Sequence, residues 1–175
     1  ERNAESIFNG IGEELAKSGI ELIPATTFLD DLLPDLGHVC GPKPAKRVIE
    51  DAAFGFKIAK EVSRLDIGQT VVVKKGTVLA VEGFEGTNKA IQRGGELGRG
   101  DAVVVKVSKP NQDLRFDVPC IGPDTIETAA SSSVSAIIVE ANKTLLLGKN
   151  EIEISAERNG VCLLYTSPSP RDVLR

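Results

Sequence analysis

Between Ala102 and Val107 the chain reads AVVVKV, and the polar stretch SKPNQDLRFD follows without a break. An apolar, β-branched run of this kind predicts a strand buried on both faces. Pro110 sets its limit, because proline cannot donate to a ladder and biases Lys109 towards extended backbone, so that a polar loop is launched from the strand end. Into that loop fall Lys109, Asn111, Gln112, Asp113, Arg115 and Asp117. Two carboxylates four residues apart, with lysine and arginine beside and between them, can hold a divalent cation and a phosphate together. If the loop is extended, Phe116 and Val118 anchor one side of it while Asp113, Arg115 and Asp117 share the other. A solvated loop with incidental ion pairs is the plainer reading of the same residues.

Composition narrows the classes. Hydrophobic residues make up 41% and charged residues 26% of the 175 positions, which predicts a packed core rather than disorder throughout. A net charge of -4 and the lack of any Lys/Arg block give no reason to expect a nucleic-acid partner. No apolar run approaches the length of a membrane span and no secretory leader opens the chain, so a cytoplasmic protein is expected. Cys40, Cys120 and Cys162 have neither CxxC spacing nor an even count, which argues against a zinc site and a disulfide framework. With 1 His, histidine-based catalysis is not expected, and with 0 Met the chain is expected to start inside a longer reading frame.

Along the chain, Ile7, Phe8, Ile11 and Leu15 recur at helical spacing over Ala4–Lys17, with Gly19 placed to end the helix. A short strand is expected over Ile20–Ile23, then a brief helix to Leu33 capped by Thr26 or Thr27. Gly41-Pro42-Lys43-Pro44 reads as a stiff extended spacer rather than a ladder strand. Val48–Asp66 carries the longest apolar stripe, with Lys57, Lys60, Glu61 and Arg64 as its wet face. Thr70–Val73 and Thr77–Val81 flank Lys74-Lys75-Gly76 as a hairpin. Thr87 is placed to cap a helix running to Gln92, whose exposed N–H groups could hold a phosphate oxygen, and the glycines from Gly94 to Gly100 read as a turn. Gly122-Pro123-Asp124-Thr125 opens another helix. Ala136–Glu140 and Thr144–Leu147 read as a strand pair, and a weak helix ends at Gly160.

Two segments also carry a family likeness. KPNQDLRFDVPCIGPDTIE, preceded by FGFKIAKEVSRLDIGQTVVVKKGTVLAVEGFEGTNKAIQRGG, is similar to the C-terminal domain of LpxI-type UDP-2,3-diacylglucosamine pyrophosphatases, with motifs in the same order from about Phe54 to Lys143. The resemblance implies hydrolysis of the substrate's pyrophosphate to 2,3-diacylglucosamine 1-phosphate (lipid X) and UMP in lipid A biosynthesis, with Mg2+ and with water directed to the sugar-side phosphorus. It implies a UDP-diacylglucosamine glycolipid as partner and, through that lipid, contact with the inner membrane. On this footing Asp117 is the first choice for the catalytic carboxylate and Asp113 the second. Either acid fits the metal and either fits the orientation of water, with Glu85 as a further acid. Lys109 and Arg115 become phosphate contacts, Asn111 and Gln112 hydrogen-bond the sugar or phosphate, and Gly86, Thr87 and Thr125 line helix starts facing the same place. The family pattern has an acidic residue where this chain has Asn88.

The expected fold is α/β: a mixed-sheet C-terminal domain with helices packed on it, preceded by a fragment of an N-terminal α/β domain. The expected division is a remnant of that domain over 1–37, a linker over 38–47 and the catalytic-type domain over 48–161. Residues 162–175 begin CLLYTSPSPRD, which resembles a translated sequencing adapter, and are expected to lie outside the fold. Two other functions fit the residues: a non-catalytic nucleotide-sugar or glycolipid binding module, and a structural fragment.

Overall fold

A computed structural model describes the backbone of residues 4–167; the Ser-Pro-Ser-Pro stretch of the expected tail lies largely outside the described residues. The apolar run forms strand β4 (Ala102–Lys106) of a six-stranded sheet. The other members are β1 (Gly37–Cys40), β2 (Thr70–Lys74), β3 (Thr77–Val81), β6 (Val134–Glu140) and β8 (Cys162–Thr166), in the order β1-β8-β6-β4-β2-β3. β4, β6 and β8 run parallel, while β2 lies antiparallel on the other edge of β4, with Val71 opposite Val105. β5 (Cys120–Ile121) and β7 (Leu145–Leu146) make a separate two-stranded pair.

Alternation along β4 splits the core in two. Ala102 and Val104 join one cluster, and Val103, Val105 and Val107 join the other. Helix α2 (Lys46–Arg64) covers the second cluster, placing Val48, Ile49, Ala52, Phe56 and Ala59 on the sheet. Helices α3 (Thr87–Gly98), α4 (Pro123–Ser131) and α5 (Lys149–Asn159) cover the first. α2 approaches β4 so closely that a Cβ at Gly55 would lie 2.7 Å from a Val105 methyl. Helix α1 (Ala4–Lys17) forms as its spacing predicts, yet Ile7, Phe8 and Ile11 stay exposed.

The hairpin turn is fixed from outside. Lys75 and Gly76 both have positive φ, and the buried Asp51 of α2 accepts both of their N–H groups at 2.9 and 2.8 Å. This geometry suits the right-handed twist of the flanking strands.

Several expectations are corrected. Ile20–Ile23 is not a strand, and the brief helix reduces to one 3-10 turn, Asp30–Leu32. The expected linker begins as a ladder strand, because Gly37–Cys40 pairs with β8 before the prolines are reached. Thr144–Leu147 does not pair with β6; its two-residue strand leaves the main sheet to join β5. Cys162–Thr166 is not outside the fold: it is β8, with every residue buried between β1 and β6, since an apolar CLLYT run satisfies a buried parallel position. Gly94 and Gly95 are not a turn but the inner face of α3, where a Cβ at Gly95 would fall 2.2 Å from the Ser132 carbonyl oxygen.

That crowding yields a prediction. Gly95→Ala should lower stability in urea unfolding by about 1–3 kcal/mol, because overpacking against backbone outweighs the better helix propensity of alanine. Gly10→Ala in α1, where nothing lies within 4 Å, should not lower it. A neutral Gly95→Ala would mean that α3 does not press on the end of α4.

Candidate functional site

The loop leaving β4 is folded back rather than extended. Gln112 N–H donates to the Lys109 carbonyl at 3.2 Å, and Phe116 and Asp117 N–H both donate to the Asp113 carbonyl at 3.1 Å. Phe116 stacks on Phe8 of α1 with ring centroids 5.1 Å apart. Around this pair opens a cavity of about 220 Å³ lined by Phe8, Lys109, Asn111, Gln112, Asp113, Phe116 and Asp117. Five of the expected loop residues are thereby brought to one hollow, whose apolar wall is supplied by two aromatic rings.

The charges are partnered unequally. Arg115 grips Asp113 with its Nε at 3.0 Å and its Nη2 at 2.7 Å, and these bonds, with that from the Arg115 N–H, hold the Asp113 carboxyl below the usual range. Lys109 Nζ pairs with Asp66 at the end of α2. Asp117 is exposed and, among the described residues, forms no ion pair; its Oδ2 accepts 2.6 Å from Gln112 Nε2. Asp117 is therefore the carboxylate of the pair that no cation neutralises.

The remaining expected residues gather elsewhere on the same edge. Thr87 is the first residue of α3 but does not cap it: Gly86, with φ of 85°, holds the cap position. Instead the Thr87 hydroxyl donates to the buried Glu82 at 2.8 Å and accepts from Lys106 Nζ at 3.3 Å. Lys106 also reaches the Cys120 carbonyl at 3.2 Å, linking the start of α3 to the strand before α4, in whose first turn Thr125 lies. Glu85 does not line the cavity. The side-chain hydrogen bond from Arg93 holds its carboxyl below the ordinary range, and the Gly83 N–H also donates to it. Among the described residues no group of three or more His, Cys, Asp or Glu could hold a metal, so Asp113, Asp117 and Glu85 do not form a cage.

Two residues read as ordinary in the sequence prove central to this edge. Glu140, the last residue of β6, is 2% exposed and takes Lys60 Nζ at 3.0 Å, Lys143 Nζ at 3.0 Å and Ser108 N–H at 3.0 Å. Lys60 is not part of a wet face but turns inward, also donating to the Ser108 carbonyl at 2.8 Å. The signal available was an acid ending an otherwise apolar strand run, VSAIIVE. Burial pushes the Cys40 thiol up to about 11 and the Cys162 thiol up to about 12, which leaves both unreactive, while Cys120 is exposed.

Comparison with known proteins now bears on this geometry. A family model described as the LpxI C-terminal domain matches residues 35–164. The UDP-2,3-diacylglucosamine pyrophosphatase LpxI of Caulobacter vibrioides is 31% identical over 175 residues, covering 95% of this chain and 62% of that protein. The chain thus spans less than two thirds of the relative's length. Among solved structures, an apo dCMP deaminase from the cyanophage S-TIM5 superposes with a TM-score of 0.39 at 15% identity, over 70% of this chain and 100% of that one. Acinetobacter baumannii RibD gives 0.41 at 10% identity, over 71% of this chain and 38% of that one.

Acid should reveal the Glu140 cluster. Burial acts to raise its pKa, but hydrogen bonds from Lys60, Lys143 and the Ser108 N–H prevail and hold it below the ordinary 4.5. A lowered folded pKa gives stability that is fully present above the unfolded value and lost as pH falls through the folded one. Urea unfolding from pH 7 downwards should therefore show the wild type losing stability more steeply in acid than Glu140→Gln. Parallel curves would contradict this.

Proposed function

Because this chain belongs to the LpxI family, whose C-terminal domain model covers residues 35–164, we propose that the protein containing it hydrolyses UDP-2,3-diacylglucosamine to lipid X and UMP in lipid A biosynthesis. The observation that carries the reading is the unequal pairing in the loop: among the described residues Asp117 pairs with no cation, while Lys109 in the same cavity and Arg115, which faces a neighbouring hollow beside Gly12 and Leu22, hold partners they can exchange. Water adds to the sugar-side phosphorus, the bond from that phosphorus to the bridging oxygen breaks, and UMP leaves with the oxygen.

Charge accumulates on the phosphoryl oxygens as that bond breaks, so catalysis requires fixed positive charge and an oriented nucleophile. Asp117 holds the attacking water and accepts its proton. Arg115 presents a planar fork to two phosphoryl oxygens on giving up Asp113, and Lys109 adds a point charge on giving up Asp66. Asn111 and Gln112 donate to the sugar or the phosphate. Gly86 N–H and the first turn of α4 around Thr125 receive the second phosphate at helix N-termini.

The residues fit Mg2+ in a particular sense. Magnesium is commonly held by one or two carboxylates and completed by substrate phosphates rather than caged by protein. Asp117 meets that description, Asp113 does so when Arg115 releases it, and Glu85, which lies outside the cavity, does not. Bound there, Mg2+ supplies neutralisation of the phosphoryl oxygens.

The test is UMP release from UDP-2,3-diacylglucosamine in Mg2+ by the full-length protein containing this chain. Asp117→Ala should lower kcat by about 10²–10⁴-fold, the usual contribution of a positioned general base, with UMP affinity retained. Equal rates for the two proteins would remove Asp117 from the chemistry. Asp113→Ala should act mainly on KM, since it frees Arg115 from its orienting partner.

A further inference from the structure

The loop that carries Asp117 is held by a continuous series of hydrogen bonds that begins in the core. Ser108 is completely buried, and both of its backbone groups are engaged by charged side chains: Glu140 Oε2 accepts its N–H at 3.0 Å, and Lys60 Nζ donates to its carbonyl at 2.8 Å. The next residue continues the series, with Lys109 N–H donating to Gln112 Oε1 at 3.0 Å. That bond sets which way the Gln112 amide faces. Its Nε2 is then directed to Asp117, donating to Oδ2 at 2.6 Å and to the backbone carbonyl at 3.1 Å. Side chains from α2 and from the end of β6 (Lys60 and Glu140) thus converge on the backbone of one residue at the root of the loop, Lys143 holds Glu140 from the following turn, and a single glutamine relays the position to the carboxylate.

The alternative is that Glu140 merely neutralises two lysines. A carboxylate doing only that has no need of a backbone donor, yet Glu140 Oε2 is shared between Lys60 Nζ and the Ser108 N–H, each at 3.0 Å. A buried charge pair is also weak evidence for stability, because desolvation offsets much of the attraction, and its value can lie in fixing one conformation. Ser108 lies nine residues before Asp117, and among the described residues the loop is otherwise fixed to the rest of the chain by the Ser108 Oγ–Lys143 carbonyl hydrogen bond, the Lys109–Asp66 ion pair, the stacking on Phe8 and a Leu114–Ala25 hydrogen bond.

We propose that Glu140 is a positioning residue that sets the placement of Asp117 through Ser108 and Gln112, rather than a residue required only for folding. The link to catalysis rests on the reading of Asp117 given above; the mechanical coupling does not. Amide hydrogen exchange on this chain tests the coupling, comparing wild type, Glu140→Gln, Gln112→Ala and the double variant. Glu140→Gln should speed exchange at Ser108, Lys109, Gln112, Phe116 and Asp117 by tenfold or more, while β6 and β8 amides change no more than global stability dictates. Gln112→Ala, at a site outside the core where folding is not at stake, should speed exchange at Phe116 and Asp117. The double variant should exchange there no faster than the quicker single variant, because both cut one series. Multiplying effects, or loosening spread evenly over sheet and loop, would overturn the proposal.

A second readout separates the two readings. In the full-length protein, Glu140→Gln should lower kcat by tenfold or more with KM within about twofold. Coupled exchange with an unchanged kcat would leave the positioning intact and count against Asp117 as the catalytic carboxylate. Uncoupled exchange would overturn the positioning role whatever the rates.

Discussion

β4 can carry a polar loop only because both of its faces and both of its edges are sealed. Its side chains alternate between the core under α2 and the core under α3, α4 and α5, and its hydrogen-bonding edges are taken by β2 and β6. A strand held in this way does not shift register, since a one-residue slip would exchange its two faces. Its carboxyl end points the same way as those of β6 and β8, so the segments that follow β4 and β6 emerge on one edge of the sheet. In open α/β sheets that edge is where ligands bind, and here it holds every candidate residue.

The electrostatics divide this edge into a fixed base and an exchangeable rim. Glu140 is withdrawn from water between Lys60 and Lys143, and removing it would leave the inward-turned Lys60 without its carboxylate. The pairs of Arg115 with Asp113 and of Lys109 with Asp66 are solvated, and such pairs are worth little in water. A doubly esterified diphosphate carries two negative charges, matching the two carboxylates it would displace, and the exposed pairs cost little to exchange, so the rim can open to a diphosphate while the base stays in place. The stacked Phe8 and Phe116 add an apolar wall beside these charges.

Much of this was legible in the residues, for identifiable reasons. The β-branched AVVVKV run, the Gly76 hairpin and the Pro123 helix start depend on local chemistry that sequence carries directly, and each forms where expected. The loop residues from Lys109 to Asp117 were legible as a group, but not their pairing, which depends on how the loop folds back on itself. Gly94 and Gly95 were misread because glycine signals a turn and close packing equally well, and only the proximity of Ser132 decides between them. Lys60 and Glu140 were missed for a different reason. They are 80 residues apart in the chain, and nothing at either position alone reveals that α2 and β6 will bring them together.

The account stands or falls on whether the folded-back loop after β4 is where the diphosphate goes. Backbone amide chemical shifts of the full-length Asp117→Ala protein, followed as UDP-2,3-diacylglucosamine is added in Mg2+, test this most directly. The largest changes should fall on Lys109, Asn111, Gln112 and Arg115 and on the helix starts at Gly86 and Thr125. Saturable binding that moves other residues and leaves that loop unperturbed would contradict the account.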